Sequence, residues 1–424
     1  MSLGRLIAAA ALLAGAAFLV AQTARAMEPE PAAESAKAGS VPVPAPSAKA
    51  LRYHHTGNIL FAVATLWTIG VPFAAAFTGF GARLRNLVRR IAHDRWLPTV
   101  TLYGVAWTAI AAIANLPLAY YAGYLRQHAY GLSTETLAKW VTDEVVGLAV
   151  SCILTALVIW IPYLLIRHSP RRWWLWTGLA SVPLTALLLI IAPVWIDPLF
   201  NRFGPLKDKS LEHEILALAS RAGIEGSRVF EVEKSEETNT VNAYVTGFAT
   251  TKRIVLWDTI IQKLSRDELH FVMAHEMGHY VLGHVSNAVI LVPPCITFGL
   301  FVSDRLARRI IARSASTLRF SELSDVASLP LMLFLFMAGS VVVSPAILAY
   351  SRHVEHEADV FGLELTRDRE AAARAFVRLH DENLGVARPS AFYRVFRASH
   401  PSLGDRIDFC NGWDGRDEKT NVEP

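Results

Sequence analysis

Charged residues and cysteines are both scarce in this sequence. Asp, Glu, Lys and Arg make up 18% of the 424 residues, against about 25% in soluble domains, whereas 53% are hydrophobic. Three cysteines occur, Cys152, Cys295 and Cys410, without CxxC spacing, so no disulfide framework is implied. The net charge of +4 comes from arginines in short loops, which indicates membrane topology rather than a nucleic-acid surface. We expect no nucleic-acid partner.

Long uncharged apolar runs predict a multi-pass membrane protein instead. Each run meets or approaches the length of about 20 residues that a helix needs to cross a bilayer core. After an N-terminal run, they are 57–80, 97–125, 145–166, 173–196, 285–303 and 326–350. The chain therefore divides into membrane helices over 51–196 and two further membrane helices over 285–350.

The first 50 residues have the layout of an export signal and a linker. Arg5 precedes an apolar run over 6–20, and residues 24–26 read Ala-Arg-Ala, which matches a small-residue cleavage site. Residues 1–26 are predicted to be a signal peptide of bacterial type or, alternatively, a first transmembrane helix. Residues 27–50 are rich in Pro, Ala, Ser and Glu, which is typical of a flexible linker.

Arginines concentrate in alternate loops between the apolar runs, and the positive-inside rule places such loops in the cytoplasm. They are Arg83, Arg85, Arg89, Arg90, Arg95, Arg167, Arg171, Arg172, Arg305, Arg308, Arg309, Arg313 and Arg319. The loop 126–144 has only Arg126 and Lys139 as cations. Residues 197–284 and the chain after 351 then share the extracytoplasmic side. The predicted export signal gives the same orientation.

The region 197–284 has the pattern of a small α+β unit. A helical period runs from Leu211 to Ala222, and Ser265-Arg266-Asp267-Glu268 is a capping box that starts another helix. Predicted strands cover 229–232, 241–245 and 253–257.

The second of these helices carries the pattern H-E-x-x-H at His275, Glu276 and His279. Positions four apart lie one turn above each other on the same helix face, so both imidazoles can bind one zinc ion. Glu276 is then placed to hold the water that the metal activates. We expect one Zn²⁺ per chain.

A catalytic zinc usually takes three protein ligands and leaves a fourth position for water. Glu355 and Asp359 are four apart on a predicted helix over 351–365. Glu355 is the predicted third ligand, and Asp359 would orient a ligating histidine through its second ring nitrogen. A charged, solvated helix face is the alternative. His284, five residues after the motif, is expected to be a surface or interfacial histidine rather than a ligand.

From about residue 118 to 408, the sequence resembles the type I CAAX prenyl endopeptidases and their bacterial relatives, which are membrane-embedded zinc metalloproteases. The stretches that carry the resemblance are YGLSTETLAKWVTDEV, DPLFNRFGPLKD, NAYVTGFATTKRIVLWDTII, AHEMGHYVLGH, SRHVEHEADVFGLEL and SHPSLGDRI.

The resemblance implies a ring of membrane helices around a large water-filled chamber that the zinc domain closes. It also implies that His275, His279 and Glu355 are the metal ligands and that Glu276 is the general base, in agreement with the spacing. We therefore expect a mainly α, polytopic bundle of six to seven transmembrane helices with a small α+β zinc metalloprotease domain. That domain would combine residues 197–284, which carry the motif, with residues 351–424, which carry the third ligand.

The resemblance also implies which residues contact the substrate. A peptide strand would lie along the sheet edge near Asn242, Ala243 and Tyr244, a β-augmentation mode. His400 would lie near the zinc and stabilise the oxyanion. Arg406 is placed with the substrate-binding residues and would orient nearby groups. A plain turn residue at Asn242 and a surface arginine at Arg406 are the alternatives.

The expected function is zinc-dependent endopeptidase action at the bacterial inner membrane, with peptide or protein substrates and the lipid bilayer as partners. Eukaryotic members cut prenylated CAAX tails on the cytosolic side, whereas the arginine distribution places this site outside. Membrane or exported proteins are therefore the expected substrates, and prenylated C-termini are the alternative. A non-proteolytic chaperone or scaffold with a structural zinc is the alternative from another class. A fourth side-chain ligand, such as His284, would favour it.

Overall fold

A computed structural model describes residues 40–224, 226, 228–247 and 252–415. Six helical segments of this described part are long and apolar enough to cross a membrane. They are Ala48–Phe77, Trp96–Ala129, Leu137–His168, Trp173–Leu199, Ser286–Leu318 and Val326–Thr366. The predicted fold class, a mainly helical membrane bundle with a small sheet, is confirmed. The predicted signal peptide lies outside the described residues and stays a prediction.

Most of the described chain is helical, and its strands lie between the fourth and fifth of these membrane segments. The helices are α1 (Ala48–Phe77), α2 (Phe80–Ile91), α3 (Trp96–Ala119), α4 (Arg126–Ala129), α5 (Leu137–Val158), α6 (Trp160–His168), α7 (Trp173–Ile191), α8 (Lys209–Arg221), α9 (Asp258–Lys263), α10 (Arg266–Val281), α11 (His284–Leu318), α12 (Leu329–Thr366), α13 (Arg369–Glu382), α14 (Ala391–Phe396) and α15 (Leu403–Gly412). The strands are β1 (Phe203–Pro205), β2 (Arg228–Val232), β3 (Ala243–Thr246) and β4 (Arg253–Trp257).

The three arginine-rich loops meet at one end of the bundle. Arg85 of α2 pairs with Asp325, which lies just before α12. Trp173 donates its indole N–H to Asp304 at 2.7 Å, and Arg308 donates to the same carboxylate oxygen at 2.9 Å. Asp304 is buried where α7 and α11 meet, and Arg308 neutralises its charge. The predicted cytoplasmic loops therefore form one connected surface.

The sheet lies at the opposite end, in the order β1-β2-β4-β3. β2 and β4 are parallel, and the outer strands pair antiparallel with them. Its buried face includes Ile254 and Leu256, which belong to one core with Leu269 and Met273 of α10. The three strands predicted from the sequence are present, with β3 beginning at Ala243. Among the described strands, β3 is an edge strand that pairs with β4 alone.

α10 begins where its capping box predicts. The Ser265 hydroxyl accepts from the Glu268 backbone N–H, and the Glu268 carboxylate accepts from the Ser265 N–H at 2.8 Å. The helix ends at Val281, and Gly283 then adopts φ +71°, which is the left-handed conformation that glycine favours. α11 can therefore start at His284 in a new direction.

The end of the predicted linker is attached to the core rather than free. The Val41 N–H donates to the Asn411 side chain at 3.0 Å, and Asn411 donates back to the Val41 carbonyl at 2.8 Å. Val41 and Val43 pack against the core that contains the sheet. α13 and α15 contribute to the same core, whereas α14 packs against α12. The sequence patterns predict none of these three helices.

Candidate metal centre

Three ligand-type side chains converge where α10 passes α12. His275 Nε2 lies 3.2 Å from His279 Nε2 and 3.3 Å from a Glu355 carboxylate oxygen. His279 Nε2 lies 3.4 Å from the other oxygen of Glu355. A tetrahedral zinc site with bonds of about 2.0–2.1 Å places its ligand atoms about 3.3–3.4 Å apart. These three residues are the group in the described chain whose ligand atoms could hold a metal ion.

The surroundings of the Glu355 carboxylate also fit a metal ion. The residue is 8% exposed, and its Oε2 has no hydrogen-bond partner among the described residues. A buried carboxylate oxygen without a donor is costly, and a cation at the centre of the three ligands would remove that cost. The donor set of two imidazoles and one carboxylate is one that zinc accepts in catalytic sites.

A buried ion pair, Asp359 with Arg406, orients the His275 ring through its Nδ1 nitrogen. Asp359 Oδ1 lies 2.9 Å from His275 Nδ1, so this nitrogen can donate and leave the Nε2 lone pair facing the other ligands. Arg406 grips the same carboxylate with two N–H groups, one of them at 2.8 Å. Asp359 and Arg406 are both buried. Glu355 and Asp359 thus lie on opposite sides of the His275 ring, one near each ring nitrogen.

His279 has a second partner of its own, which sequence reasoning missed. His284 Nδ1 lies 3.0 Å from His279 Nδ1, and His284 Nε2 lies 3.3 Å from a Glu357 oxygen. The His284 side chain is 7% exposed, which favours the interfacial over the surface alternative of the sequence prediction. The reason is Gly283: its left-handed conformation stops the helical rotation that would have carried His284 away.

The carboxylates give the centre a strong preference for positive charge. Burial lowers the pKa of His275, but the nearby carboxylates of Asp359 and Glu355 outweigh burial and raise that pKa to about 9. Burial, followed by the charge of His275, lowers the pKa of His279 to about 4. The negative charge that raises the pKa of His275 would equally stabilise a metal cation, which both imidazoles can bind once they are neutral.

A cavity of about 640 Å³ opens onto this cluster. Glu276 lines it, forms no hydrogen bond with another described side chain, and has its pKa raised to about 7 by burial. His400 also lines it, with Nε2 3.3 Å from Glu355 Oε2 and Nδ1 2.8 Å from the Ser399 hydroxyl. The carboxylate and the imidazole therefore face the same space beside the ligands.

Three of the four residues predicted to bind the substrate line the cavity. Asn242 and Ala243 line the cavity at the start of the edge strand β3. Tyr244 is half-buried on β3, its Cα paired with Val255, and is not among the lining residues of the cavity. Arg406 reaches the cavity wall, but its guanidinium is committed to Asp359.

Two glycines allow α10 and α12 to approach this closely. A Cβ on Gly362 would lie 3.0 Å from the Phe271 ring and 3.3 Å from the His275 backbone nitrogen. A Cβ on Gly278 would lie 3.1 Å from the Phe361 ring. The backbone of α12 therefore runs directly against the turn that carries His275, one to two turns beyond Glu355. Glycines that interrupt two helical segments are the sequence signal that could have indicated this contact.

Comparison with known proteins accounts for almost the whole described chain. Residues 205–414 match the family described as peptidase family M48. Residues 45–202 match the family described as the N-terminal domain of CAAX prenyl proteases with five membrane helices. The two matches meet at β1, where the last helix of the first membrane group gives way to the sheet.

Two relatives and one solved structure agree with these matches. The chain is 39% identical over 370 residues to the uncharacterized metalloprotease YhfN of Bacillus subtilis (strain 168), covering 86% of this chain and 85% of that protein. It is 31% identical to a CAAX prenyl protease 1 homolog of Arabidopsis thaliana, covering 73% and 72%. The crystal structure of Ste24p from S. mikatae has the same fold, with a TM-score of 0.72 at 23% identity over 85% and 87% of the two chains.

We predict that Gly362→Val weakens metal binding more than it weakens the fold. Valine atoms at this position would push α12 away from the His275 backbone and carry Glu355 with it, and overpacking of this kind costs about 1–3 kcal/mol. Zinc retained after dialysis against a chelator, with the thermal unfolding midpoint of the same sample, measures both effects.

Gly339→Val is the matched control, because it lies on the same helix and a Cβ there meets nothing within 4 Å. Equal zinc retention by the two variants would contradict the importance of this helix contact.

Proposed function

Since the chain belongs to peptidase family M48, we propose that His275, His279 and Glu355 bind one catalytic zinc ion per chain. The protein is a zinc metalloendopeptidase embedded in the membrane. The observation that carries the ligand assignment is the triangle of three ligand atoms 3.2–3.4 Å apart. When bound, zinc would polarise the scissile carbonyl and lower the pKa of a water molecule.

Glu276 is the general base in this proposal. It follows the first ligand in the motif, lines the cavity, and has no other described side chain to bind. Its carboxylate accepts a proton from the attacking water and returns it to the leaving amine. Burial raises the pKa of Glu276 from its ordinary value, which favours a group that returns the proton as well as accepting it.

The edge strand β3 is the proposed platform for the substrate backbone. A peptide laid along Asn242, Ala243 and Tyr244 would add a strand to the sheet next to β3 and pass the ligand cluster on α10. His400 would donate from its ring to the oxyanion that forms at the scissile carbonyl. Its position 3.3 Å from Glu355 supports a role beside the metal.

Asp359, Arg406 and His284 act as positioning residues. Asp359 holds the Nδ1–H of His275, and Arg406 holds Asp359, so we assign Arg406 to orientation of the ligand rather than to peptide binding. His284 accepts from the Nδ1–H of His279 and in turn donates to Glu357. Each ligating imidazole thereby has one ring nitrogen occupied and the other free for zinc.

The proposed substrates are membrane or exported proteins, cut on the extracytoplasmic side of a bacterial inner membrane. The support is the connected arginine-rich surface at one end of the bundle and the ligand cluster at the other. Several relatives are named CAAX prenyl protease 1, so removal of prenylated CAAX tails is the second candidate.

A role as a non-catalytic zinc scaffold has less support. It requires a fourth side-chain ligand, and His284 was the candidate. In the described chain the His284 ring turns toward the Nδ1 side of His279, which is the side away from the ligand cluster. The metal-type group among the described residues has three members, which leaves one coordination position for water or substrate.

We predict that Glu276→Gln keeps zinc and loses activity, whereas Glu355→Ala loses both. The amide cannot accept the proton of water, so peptide hydrolysis should fall at least about 100-fold. Elemental analysis of the purified variants measures zinc, and a fluorogenic peptide measures cleavage. Full activity of Glu276→Gln would remove its assignment as base, and stoichiometric zinc in Glu355→Ala would move the third ligand elsewhere.

His284→Ala should weaken zinc affinity by about 10- to 100-fold, the usual cost of losing a partner behind a ligating histidine. His353→Ala is the control, because His353 lies 3.7 Å from the same Glu357 with a 68% exposed side chain. Competition with a chelator of known affinity measures both variants, and an unchanged affinity in His284→Ala would refute the positioning role.

The orientation predicts the behaviour of fusions to alkaline phosphatase, which is active only outside the cytoplasm. A fusion after Pro424 should be active, and a truncated fusion after Arg319, in an arginine-rich loop, should be inactive. Green fluorescent protein fused at the same two positions should give the reverse pattern. Fluorescence without phosphatase activity at Pro424 would place the catalytic side in the cytoplasm.

Farnesylated and unfarnesylated forms of one peptide separate the two substrate candidates. We expect the purified zinc enzyme to cleave the unmodified form with a kcat/KM comparable to that of the farnesylated form, because the proposed substrates carry no prenyl group. Cleavage restricted to the farnesylated peptide would favour CAAX processing instead.

A further inference from the structure

Two arginines enter the catalytic cavity without an acid to neutralise them. Arg126 begins α4 and is 7% exposed, and Arg397 follows α14 and is partly buried. Both line the cavity that Glu276 lines. Among the described residues, neither guanidinium lies within salt-bridge distance of a carboxylate. Buried arginines are normally paired, so this pair has another purpose or another partner.

The existing contacts of the two guanidinium groups use few of their N–H donors. Arg126 donates through Nη2 to the Tyr53 carbonyl and lies 3.8 Å from the centre of the Tyr53 ring, while its buried Nε has no acceptor in the described chain. Arg397 donates through Nη1 to the Asn58 side chain and lies 4.9 Å from the centre of the Tyr393 ring. Each guanidinium has five N–H groups, so donors remain on both.

The two groups converge on one point beside α1. A Cβ on Gly57 would lie 3.2 Å from Arg126 Nη2 and 3.4 Å from Arg397 Nη1. Gly57 therefore leaves the space in which both guanidinium groups fit. His54, one turn earlier, also lines the cavity, and its buried Nε2 has no partner among the described residues. Like charges held this close repel each other.

The charge of the cavity is otherwise balanced by residues of the metal centre. Arg406 is neutralised by Asp359, and Glu276 is the one acid among the described residues that line the cavity. Burial and the charge of Arg126 lower the pKa of Arg397, which is the expected response of a cation that lacks an anion. A negatively charged group bound between Arg126 and Arg397 would offset both their mutual repulsion and the free-energy cost of burying their charges.

We propose that Arg126 and Arg397 form a carboxylate-binding subsite that anchors the substrate in the cavity that holds Glu276. The inference rests on the proposed endopeptidase function and adds a substrate feature to it. Guanidinium forks match the geometry of a carboxylate, and the aromatic rings beside each fork hold it in place. The carboxylate comes either from the C-terminus of the peptide or from an Asp or Glu side chain. Anchoring it fixes which peptide bond reaches Glu276.

Four versions of one peptide test the subsite with the zinc-loaded, full-length enzyme in detergent. The first has a free C-terminal carboxylate and the second a C-terminal amide. The third and fourth are amidated and carry Glu or Gln at the same position on the C-terminal side of the cleaved bond. We expect kcat/KM to be about 10- to 100-fold higher for a carboxylate-bearing peptide than for its neutral counterpart. The pair that shows the preference identifies the source of the carboxylate.

Arg397→Gln should reduce that preference ratio to near one. Gly57→Ala should reduce it without removing a charge, because its Cβ crowds both guanidinium groups. Arg374→Gln is the matched control and should keep the full ratio, since Arg374 lies on α13, pairs with Glu370 and is absent from the described cavity lining.

Two results would overturn the subsite: equal cleavage of all four peptides by the unaltered enzyme, or an unchanged ratio in both Arg397→Gln and Gly57→Ala. The failure of the unaltered enzyme to cut any peptide would instead count against the proposed function. Calorimetric binding of the acid and amide peptides to the unaltered enzyme then still decides the subsite, and equal affinity would overturn it.

Discussion

The contact between α10 and α12 is the constraint on which the catalytic unit depends. α10 supplies the two imidazoles of the proposed metal centre and α12 supplies its carboxylate, so no single segment contains it. At Gly362 the two helices touch through backbone, with His275 on the other side of the contact. α12 is also the last membrane helix, which means that the packing of the bundle determines where Glu355 lies. The packing of the membrane helices therefore also determines the geometry of the proposed metal centre.

Charge balance explains how several ionisable groups can be buried together around the proposed metal centre. Glu355 and Asp359 carry two negative charges, Arg406 carries one positive charge, and a divalent metal with ionised Glu276 would bring the sum to zero. Burial of ions is tolerated when each has a partner, and here the partners form one continuous chain from Arg406 to the ligand cluster. The other end of the same cavity is different, because Arg126 and Arg397 leave it positive. A substrate in the cavity would thus lie in an electrostatic field that runs from the positive arginine end to the end that holds Glu276.

The sequence predicts the parts of this structure that follow from local spacing. The four-residue intervals between His275 and His279 and between Glu355 and Asp359 place each pair on one helix face, and the capping box locates the start of α10. Contacts that depend on the path of the chain were not predictable. His284 returns to His279 because one glycine takes a left-handed conformation, and Arg126 meets Arg397 because distant helices pack together. Val41 likewise meets Asn411 although the segment around it has a linker composition.

The order of the ligands along the chain has a consequence for biosynthesis. His275 and His279 are translated before the last two membrane helices, whereas Glu355, His400 and Arg406 come after them. A ribosome-bound chain therefore carries two imidazoles that cannot yet form a complete ligand set. With the proposed ligands, hydrolysis would become possible only after α12 has been inserted and folded back against α10, when translation is nearly finished.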